Sequence, residues 1–304
     1  MHVLVTGGAG FIGSHSVEQL LAVGARVRVL DNFSSGKREN LPQNPRLEVV
    51  AGDIRDAAVV TAALQDISHV LHLAAQVSVQ ASVDDPVTSA ANNITGYLNV
   101  LDGARRAGVK RFVYASSAAV YGVPARLPLD ETAATAPISP YGLEKSIDDQ
   151  YGALYAGLYG MAPLGMRYFN VFGPRQDPGS PYSGVISIFV DRLRAGKGLT
   201  VFGDGLQTRD FIYVGDVARA NVVALTGTST GTCNVATGKT VTLLELIDAL
   251  ALVAGATTQV SFAPARSGDI RHSAADNARL RQELACTEFT SLHDGLRALW
   301  AATA

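Results

Sequence analysis

Cysteine, excess charge and long apolar runs are all scarce in this sequence of 304 residues. Its two cysteines, Cys233 and Cys286, are far apart, and neither has metal-type spacing to a histidine, so we expect no disulfide and no metal. A net charge of -2 gives no broad basic field, which argues against a nucleic-acid partner. No run approaches the ~18 apolar residues of a membrane span, and Met1 leads directly into a short strand-like run without a basic leader. We therefore expect a cytoplasmic protein that does not enter a membrane.

Apolar runs rich in valine alternate with segments of helical period, and this alternation predicts the fold class. Strands are predicted at residues 2–6, 26–31, 46–51, 68–73, 110–115 and 163–169. Helices are predicted between them, notably at residues 11–24, 86–107 and 140–160. Because helices separate successive strands, the strands are expected in a parallel sheet with helices on both faces. We predict an α/β fold with a doubly wound parallel sheet of the Rossmann type.

The pattern changes after Phe169, where glycine and proline crowd residues 173–181. The later elements are predicted as a helix near 185–195, a strand at 199–203, a strand and helix at 211–225, a helix at 241–254 and an irregular tail. We therefore predict a first domain of residues 1–170, to which the chain returns at about 209–237. Residues 171–208 and 238–304 are predicted to form a smaller C-terminal region.

A glycine-rich loop follows the first predicted strand. Gly8, Gly10 and Gly13 satisfy the pattern G-x-G-x-x-G and open directly into a helix. Glycines there permit a tight turn, and the helix N-terminus presents free N–H groups to a pyrophosphate. The second strand ends at Asp31, where a carboxylate can accept hydrogen bonds from an adenosine ribose and repel a 2′-phosphate. The sequence thus favours NAD over NADP, although the basic pair at 37–38 would suit NADP.

The carboxyl ends of the next strands carry further candidate residues, because ligands of open α/β sheets bind at that edge. Asp53 and Ile54 follow the third strand, and the small residues of 73–75 follow the fourth. Asp53 could instead be an ordinary loop cap. At the end of the fifth strand Ser116 and Ser117 bring hydroxyl groups to the same edge. Ser117 could hold a reacting oxygen, or both serines could only satisfy turn amides.

Tyr141 and Lys145 are four residues apart at a predicted helix start, so the phenol and the ammonium share one helix face. A tyrosine of ordinary pKa, near ~10, is a poor base at neutral pH. A neighbouring ammonium and a nicotinamide cation favour its phenolate, which is a usable general base. The pair alone is common on surface helices, but in a chain with a dinucleotide loop it predicts a proton-transfer centre.

Several ordered motifs resemble the extended short-chain dehydrogenase/reductases of the NAD-dependent epimerase/dehydratase family. They are the glycine-rich run at 7–13, Ser-Ser-Ala-Ala-Val-Tyr-Gly at 116–122, Tyr-x-x-x-Lys at 141–145, Arg-Tyr-Phe-Asn-Val-Phe-Gly-Pro-Arg at 167–175, Phe-Gly-Asp-Gly-x-Gln-x-Arg-Asp-Phe-Ile at 202–212 and Arg-Ser-Gly-Asp at 266–269. Within this family the chain most resembles the UDP-glucose 4-epimerases, over nearly its whole length.

The resemblance implies a reversible oxidation at C4 of a UDP-sugar. Tyr141 would remove the proton of the 4-hydroxyl while C4 gives a hydride to NAD, and the 4-keto sugar would turn and take the hydride back on its other face. Ser117, Tyr141 and Lys145 are the implied catalytic residues. The resemblance also implies a homodimer built from the helices at 86–107 and 140–160, although the tyrosines of the second helix could instead pack within one subunit.

The strand ends and the resemblance together give two sets of expected contacts. The expected NAD contacts are Gly7, Gly10, Phe11, Ile12, Gly13, Asp31, Asn32, Asp53, Ile54, Leu73, Ala74, Ala75, Asn93, Ser116, Tyr141, Lys145 and Tyr168. The expected contacts to the sugar nucleotide are Ser117, Asn170, Val185, Val201, Arg209, Arg266, Asp269 and Ser273. The two arginines would pair with diphosphate oxygens, and Asp269 would accept from a ribose hydroxyl.

Other members of the same enzyme class remain as alternatives. Related dehydratases and decarboxylases carry an acidic residue shortly after the catalytic hydroxyl, where this chain has Ala118 and Ala119, which favours an epimerase. The alternatives left open are a UDP-glucuronate epimerase or decarboxylase, a TDP-sugar epimerase, a 4-ketoreductase, and a non-catalytic dinucleotide sensor. The sensor should lack the base pair that Tyr141 and Lys145 supply.

Position 273 bears on which sugar is accepted. By resemblance it is a gate that is bulky in enzymes restricted to glucose and galactose and small in those that also accept N-acetylhexosamines. Ser273 is small, so we expect some activity on UDP-N-acetylglucosamine. A shift of one residue in the alignment would place His272 or Ala274 there instead.

Overall fold

The strand and helix alternation of the sequence is found in the structure, a computed structural model that describes residues 1–176, 184–255, 257–265 and 270–303. The first elements are β1 (His2–Thr6), α1 (Phe11–Ala22), β2 (Arg26–Asp31), β3 (Leu47–Ala51), α2 (Ala57–Ala63), β4 (His69–His72), α3 (Val79–Asp84), α4 (Pro86–Ala90), α5 (Gly96–Arg106), β5 (Arg111–Ser117), α6 (Pro140–Tyr159) and β6 (Pro163–Tyr168). The later elements are β7 (Asn170–Phe172), α7 (Val185–Arg194), β8 (Leu199–Phe202), β9 (Thr208–Arg209), β10 (Phe211–Tyr213), α8 (Val214–Thr226), β11 (Gly231–Val235), β12 (Val241–Thr242), α9 (Leu243–Ala254), β13 (Val260–Ala263), α10 (Ala278–Glu283) and α11 (Leu292–Ala302).

A parallel sheet of seven strands, in the order β11-β6-β5-β4-β1-β2-β3, forms the centre of the molecule. The chain first runs outward from β1 to β3 and then starts again at β4 on the other side of β1. The strand order therefore reverses between β1 and β4, which is where open parallel sheets bind their ligands. The predicted doubly wound parallel sheet is confirmed.

Alternate residues of the strands point to opposite faces, and each face is covered by helices. Val3 and Val5 of β1 pack with α1 and α8, whereas Leu4 packs with α2 and α5. These side chains are fully buried, and burial of such a side chain contributes about 1.5–3 kcal/mol. The two apolar layers hold the sheet in place, and the loops of the site begin at its carboxyl edge.

A smaller apolar core joins the C-terminal elements. Helices α7, α9 and α11 pack with β8 around Phe189, Leu199, Leu246 and Leu299. Three two-stranded sheets, β10-β7, β12-β9 and β13-β8, border this core. Strand β11 joins the central sheet beside β6.

The expectation of an irregular tail after residue 254 is wrong. The tail contains β13, which pairs with β8, and the helices α10 and α11. Leu280 of α10 is buried against the central sheet, and Leu296 of α11 is buried in the smaller core. These elements are short, and it is tertiary packing, which a local pattern does not report, that stabilises them.

The helix predicted at 86–107 is divided into three parts. Between α4 and α5 the residues Ala91–Thr95 form a π-helical turn, and Asp85 caps α4 by accepting the Thr88 amide hydrogen.

Within the described residues, no helix combines the length and the apolarity needed to cross a bilayer.

Candidate active site

The loop between β1 and α1 depends on glycines that leave no room for a side chain. Gly7 has a φ of +68°, and a Cβ there would lie 2.7 Å from the backbone nitrogen of Ala74, just after β4. A Cβ on Gly13 would lie only 2.1 Å from the carbonyl oxygen of Gly7. Helix α1 therefore packs directly on the loop, and its N-cap, Gly10, adds no side chain. The amide hydrogens of its first turn, which have no intrahelical acceptor, form a cradle that fits a pyrophosphate.

Asp31 at the end of β2 is part of the same loop structure. One carboxylate oxygen accepts the Ala9 amide hydrogen at 2.9 Å, and the other accepts that of Phe33 at 2.8 Å. The side chain is 7% exposed. Gly36 lies against it, and a Cβ at position 36 would be only 3.0 Å from Asp31 Oδ1. The carboxylate is thus positioned before any ligand arrives, and each of its oxygens retains a second lone pair for a ribose hydroxyl.

The end of β3 brings Asp53 beside the end of β2. Asp53 accepts a hydrogen bond from Asn32 at 3.1 Å and forms a two-point salt bridge with Arg55, at 3.0 and 2.7 Å. The Arg55 guanidinium holds the pKa of Asp53 well below its usual range. Asp53 is therefore an anion at any physiological pH, and Ile54, which follows it, is buried. The predicted residues at 7–13, 31–32, 53–54 and 73–75 thus meet at one edge of the sheet.

Asn93 lies in the π-helical turn, and its side chain is fully engaged. Its Oδ1 accepts the Gln76 amide hydrogen at 2.8 Å, and its Nδ2 donates to the Gln76 carbonyl oxygen and to Glu144. Asn93 is 1% exposed, so it fixes the loop after β4 rather than opening toward a ligand. A π-turn at such a point is typical of a functional site.

The start of α6 lies against the turn that follows β5. Ser139 caps the helix by accepting the Gly142 amide hydrogen, and Ser82 of α3 accepts that of Tyr141 at 3.0 Å. A Cβ on Gly142 would lie 2.6 Å from the Ala119 carbonyl oxygen, so this glycine permits the close approach. Ser117 begins the turn at 118–121, and its hydroxyl accepts the Ala119 amide hydrogen at 3.1 Å. The predicted Tyr141 and Ser117 are thereby brought to the same corner.

Lys145 extends from α6 into the protein interior. It is 2% exposed, and its Nζ donates to Asp148 Oδ2 at 3.0 Å. Burial opposes its charge, but Asp148 and the Tyr141 oxygen outweigh this, and the pKa of Lys145 is raised. Burial also raises the pKa of Asp148, to about 7, although Lys145 opposes that rise. The ammonium is therefore held protonated one helical turn from Tyr141.

A cavity of about 340 Å³ lies among the C-terminal elements, and Asn170, which follows β6, is part of its wall. Its lining comes from β7, α7, β8 and the strands around β9, so it is enclosed by several separate segments. The lining residues are Asn170, Val171, Phe172, Gln176, Gly184, Val185, Ile186, Ile188, Phe189, Thr200, Phe202, Gln207, Arg209, Phe211, Val241 and Leu243. Of the expected sugar-nucleotide contacts, Asn170, Val185 and Arg209 are among them.

Two predicted contacts have side chains that point away from the open site. Val201 is fully buried in the apolar core of the C-terminal region, because strand alternation turns its neighbours Thr200 and Phe202 toward the cavity. Tyr168 is buried in the central core, and its hydroxyl donates to Asn221 at 2.7 Å. At both positions a ligand contact would have to come from the backbone, and the two contacts stay predictions.

The remaining predicted contacts lie near β9. Arg209 Nη1 donates to the Thr208 and Arg271 carbonyl oxygens, and the Ser273 amide donates to the Thr208 carbonyl oxygen at 3.1 Å. Ser273 is therefore next to the strand that carries Arg209. The predicted Arg266 and Asp269 lie outside the described residues.

Sequence reasoning missed several residues of this site. Thr200, Phe202 and Gln207 line the cavity, and the period-two alternation of β8 was the signal that could have separated the first two from Val201. Gln76 and Asp148 were also missed. Gln76 acts through contacts between distant segments, whereas Asp148 is three residues from Lys145 on the same helix, so its spacing was a local signal and only its burial was not.

The fold and the site together define a dinucleotide-binding enzyme of the short-chain dehydrogenase/reductase type, with a Tyr-Lys pair on the helix that packs against the turn after β5. Residues 3–236 match the model of the NAD dependent epimerase/dehydratase family, and the chain belongs to that family. The predicted family, the Rossmann-type fold and the dependence on NAD are thereby confirmed.

Individual relatives cover nearly the whole chain. The UDP-glucose 4-epimerase of Mycolicibacterium smegmatis is 41% identical over 97% of this chain and 96% of its own. The structure of a UDP-glucose 4-epimerase with UDP-glucose from Thermotoga maritima has a TM-score of 0.95 and 38% identity, and covers 100% of this chain and 98% of that chain. A UDP-N-acetylglucosamine 4-epimerase from Methanobrevibacter ruminantium M1, in complex with UDP-N-acetylmuramic acid, has a TM-score of 0.94 and 37% identity, covering 99% and 97%.

Proposed function

We propose that this protein is a UDP-sugar 4-epimerase that interconverts UDP-glucose and UDP-galactose through a transient 4-keto sugar. The observation that carries the proposal is the position of Tyr141 and the buried Lys145. The start of α6 packs on the turn after β5, at the same carboxyl edge of the sheet as the pyrophosphate cradle after β1, and Asn170, which lines the cavity of about 340 Å³, follows β6 at that edge. A proton-transfer pair at the edge that carries the cofactor loop suits oxidation of a hydroxyl on a bound sugar.

The residues of the cofactor side fit NAD. The first-turn amides of α1 bind its pyrophosphate, and Asp31 accepts from the adenosine ribose hydroxyls while repelling a 2′-phosphate. NAD, when bound, supplies the hydride acceptor that C4 oxidation requires. We assign this side to residues 1–170 and 209–237.

The chain's own groups handle the proton. Tyr141, one helical turn from the Lys145 ammonium, takes the proton of the 4-hydroxyl and returns it after the sugar has turned. Ser117 would donate its hydroxyl hydrogen to the same oxygen. Ala118 and Ala119 follow it and can transfer no proton, so an added elimination or decarboxylation step has no acid or base there. The arrangement therefore favours epimerisation over dehydration.

The sugar nucleotide is assigned to the C-terminal region, residues 171–208 and 238–304, together with Asn170 and Arg209 at the border of the first domain. Arg209 pairs with the diphosphate, and Asn170 and Val185 line the pocket that receives the nucleotide. Arg266 and Asp269 remain predictions for the diphosphate and the ribose. The nucleotide is thus gripped at one end, and the hexose remains able to turn above Tyr141.

The function is tested by incubating the purified protein with UDP-glucose and following UDP-galactose by NMR. Tyr141→Phe should leave bound NAD unchanged and slow turnover by about 10²–10⁴-fold, because the base is lost. Tyr159→Phe is the matched control, since Tyr159 lies on the same helix, is 51% exposed and should keep turnover within about twofold. No turnover of any UDP-hexose by the wild-type protein, or an unaffected Tyr141→Phe variant, contradicts the proposal.

We extend the proposal to N-acetylated substrates because of Ser273. Its side chain is small and lies beside the strand that carries Arg209, and one structural relative is named for UDP-N-acetylglucosamine. Ser273→Tyr should suppress conversion of UDP-N-acetylglucosamine while UDP-glucose is still converted. Equal loss on both substrates would sink this extension.

We also propose a homodimer and a cytoplasmic location. Leu143, Leu154 and Leu158 form an exposed stripe along α6, and Val83 and Val87 extend it onto α3 and α4. Exposed apolar patches of this kind mark interfaces, and a second copy can match the stripe about a two-fold axis. A monomer in sedimentation experiments at micromolar concentration contradicts the dimer.

A further inference from the structure

Three carboxyl groups are buried on the inner face of α6 around Lys145. Glu144 accepts hydrogen bonds from Ser89 at 2.9 Å and from Asn93 at 2.6 Å. Asp149 forms a salt bridge with Arg167 at 2.9 Å. These two carboxyl groups are therefore satisfied by partners that hold α6 to its neighbours. Lys145 pairs instead with the third carboxyl group, that of Asp148.

Asp148 differs from the other two because it is bound almost entirely through Lys145. Its side chain is fully buried, Oδ2 accepts from Lys145 Nζ at 3.0 Å, and Oδ1 has no hydrogen-bond partner among the residues that the structure describes. A buried carboxylate with a single charged partner is costly unless the two charges stay together. The position of Asp148 thus restricts where the Lys145 ammonium can go.

The surroundings leave few other groups to balance this pair. The titratable and charged groups that influence it are Tyr141, Glu144 and Asp149 on α6, His72 on β4, Tyr97 on α5 and Tyr114 on β5. The backbone is also tied, because the Tyr97 hydroxyl donates to the Asp148 carbonyl oxygen at 3.0 Å. Since an ammonium has three N–H donors, the bond to Asp148 leaves two for other acceptors.

We propose that Asp148 is a positioning residue that anchors the Lys145 ammonium and keeps it protonated, so that its charge stays close to Tyr141. The proposal rests on the function given above but concerns how one of its catalytic residues is held. It explains why a fully buried lysine stays charged: burial alone would lower the pKa of Lys145, and the adjacent carboxylate reverses that effect.

The first test is the pH dependence of kcat with the NAD-loaded enzyme. The wild-type alkaline limb should lie above pH 10.5, the ordinary pKa of lysine, and Lys145→Arg should remove it because a guanidinium keeps its proton. Asp148→Asn keeps the shape but removes the charge, so the limb should move at least about one pH unit lower while KM stays within about twofold. Asp149→Asn, the matched control, should lose stability and move the limb less than Asp148→Asn does, because the Asp149 carboxylate is paired with Arg167. A wild-type limb below the ordinary lysine value, or an unmoved limb in Asp148→Asn, overturns the proposal.

The second test needs no activity and covers the case in which Asp148→Asn folds poorly. Thermal unfolding is measured for Lys145→Met, Asp148→Asn and the double variant. If the charges hold each other, the double variant should be at least about 2 °C more stable than Lys145→Met alone, because it no longer contains an unpaired buried carboxylate. If the loss of thermal stability in the double variant equals the sum of the two single losses, the pairing is contradicted.

These outcomes separate the proposal from the assigned function. An enzyme that turns over UDP-glucose with a wild-type pH profile in Asp148→Asn keeps its function and refutes the role of Asp148. A protein that turns over no UDP-hexose, yet shows the thermal coupling, refutes the function and supports the anchoring of Lys145.

Discussion

The cofactor side and the cavity side of this molecule prepare their ligands in different ways. On the cofactor side, backbone amides and short carboxylates are already hydrogen-bonded to one another, as Asp31 is to Ala9 and Phe33. On the other side, side chains of separate segments surround a cavity whose lining is mainly apolar, including Phe189 and Phe211. The first is a fixed polar cradle, and the second is a mainly apolar pocket enclosed by side chains.

The cores beneath the two sides also differ in polarity. Beneath the cofactor side, the helix α6 and the sheet enclose titratable groups such as His72, Lys145 and Asp148. The core of the C-terminal region is apolar and includes Leu199, Leu246 and Leu299. Polar contacts inside a core rigidify it when they are satisfied and weaken it when their charge changes. The comparison therefore predicts that pH and small steric changes act mainly on the cofactor side.

Acid should produce the largest effect, through His72. This side chain is fully enclosed, and burial lowers its pKa to about 3, below the ordinary 6.5. Between those values the unfolded chain binds a proton that the folded chain does not, so stability falls as the pH falls, by about 1.4 kcal/mol per pH unit. From pH ~6.5 to ~3.5 the loss attributable to His72 reaches about 4 kcal/mol.

The measurement is chemical denaturation as a function of pH for the wild-type protein and His72→Gln. The difference between them removes the contribution of carboxylates, and it should shrink as the pH falls. His69→Gln on the same strand is the matched control, because His69 is only half-buried and burial lowers its pKa by less than that of His72. Parallel curves for the wild type and His72→Gln would show that His72 is not held neutral.

The sequence could predict those features that depend on interactions between residues close together in the chain. The glycine loop at 7–13, Asp31 and the Tyr141-Lys145 spacing were readable because each depends on neighbours within one strand, turn or helix. The parallel sheet followed from the regular alternation of strand and helix patterns. Local periodicity therefore carried the fold class and the centre of the candidate site.

What could not be predicted depends on contacts between distant segments. Asp148 looked like an ordinary helical acid three residues from Lys145, and it is the packing of α6 on β5 and β6 that buries the pair. The π-turn at Ala91–Thr95 lies in a continuous helical pattern, and the contacts of Asn93 with Gln76 and Glu144 favour it. The short β13 and α10 exist only through tertiary packing.

Steric substitution of one glycine on each side sharpens the comparison further. Gly13→Ala places a Cβ 2.1 Å from the Gly7 carbonyl oxygen, so the loop backbone must move. NAD affinity should fall at least about 100-fold, which corresponds to about 3 kcal/mol. Gly184→Ala on the cavity side has its nearest contact at 3.4 Å, to the flexible end of Gln176, and should leave NAD binding unchanged. The NAD content of the purified variants, measured by absorbance after denaturation, decides this, and equal NAD loss in both would remove the distinction.

The smallest of these effects concerns the cavity side and Arg209. Arg209→Met keeps much of the side-chain length but removes the charge proposed to pair with the diphosphate, and a hydrogen bond to a charged group contributes about 1.5–3 kcal/mol. The KM for UDP-glucose should therefore rise about 10–100-fold while NAD content stays at the wild-type level. Arg271→Met is the control, because Arg271 is 60% exposed and pairs with Asp204 at the surface, where such pairs contribute about 0–1 kcal/mol. A loss of NAD in Arg209→Met would show that the two sides are not separate, since a charge on the cavity wall would then support the cofactor cradle.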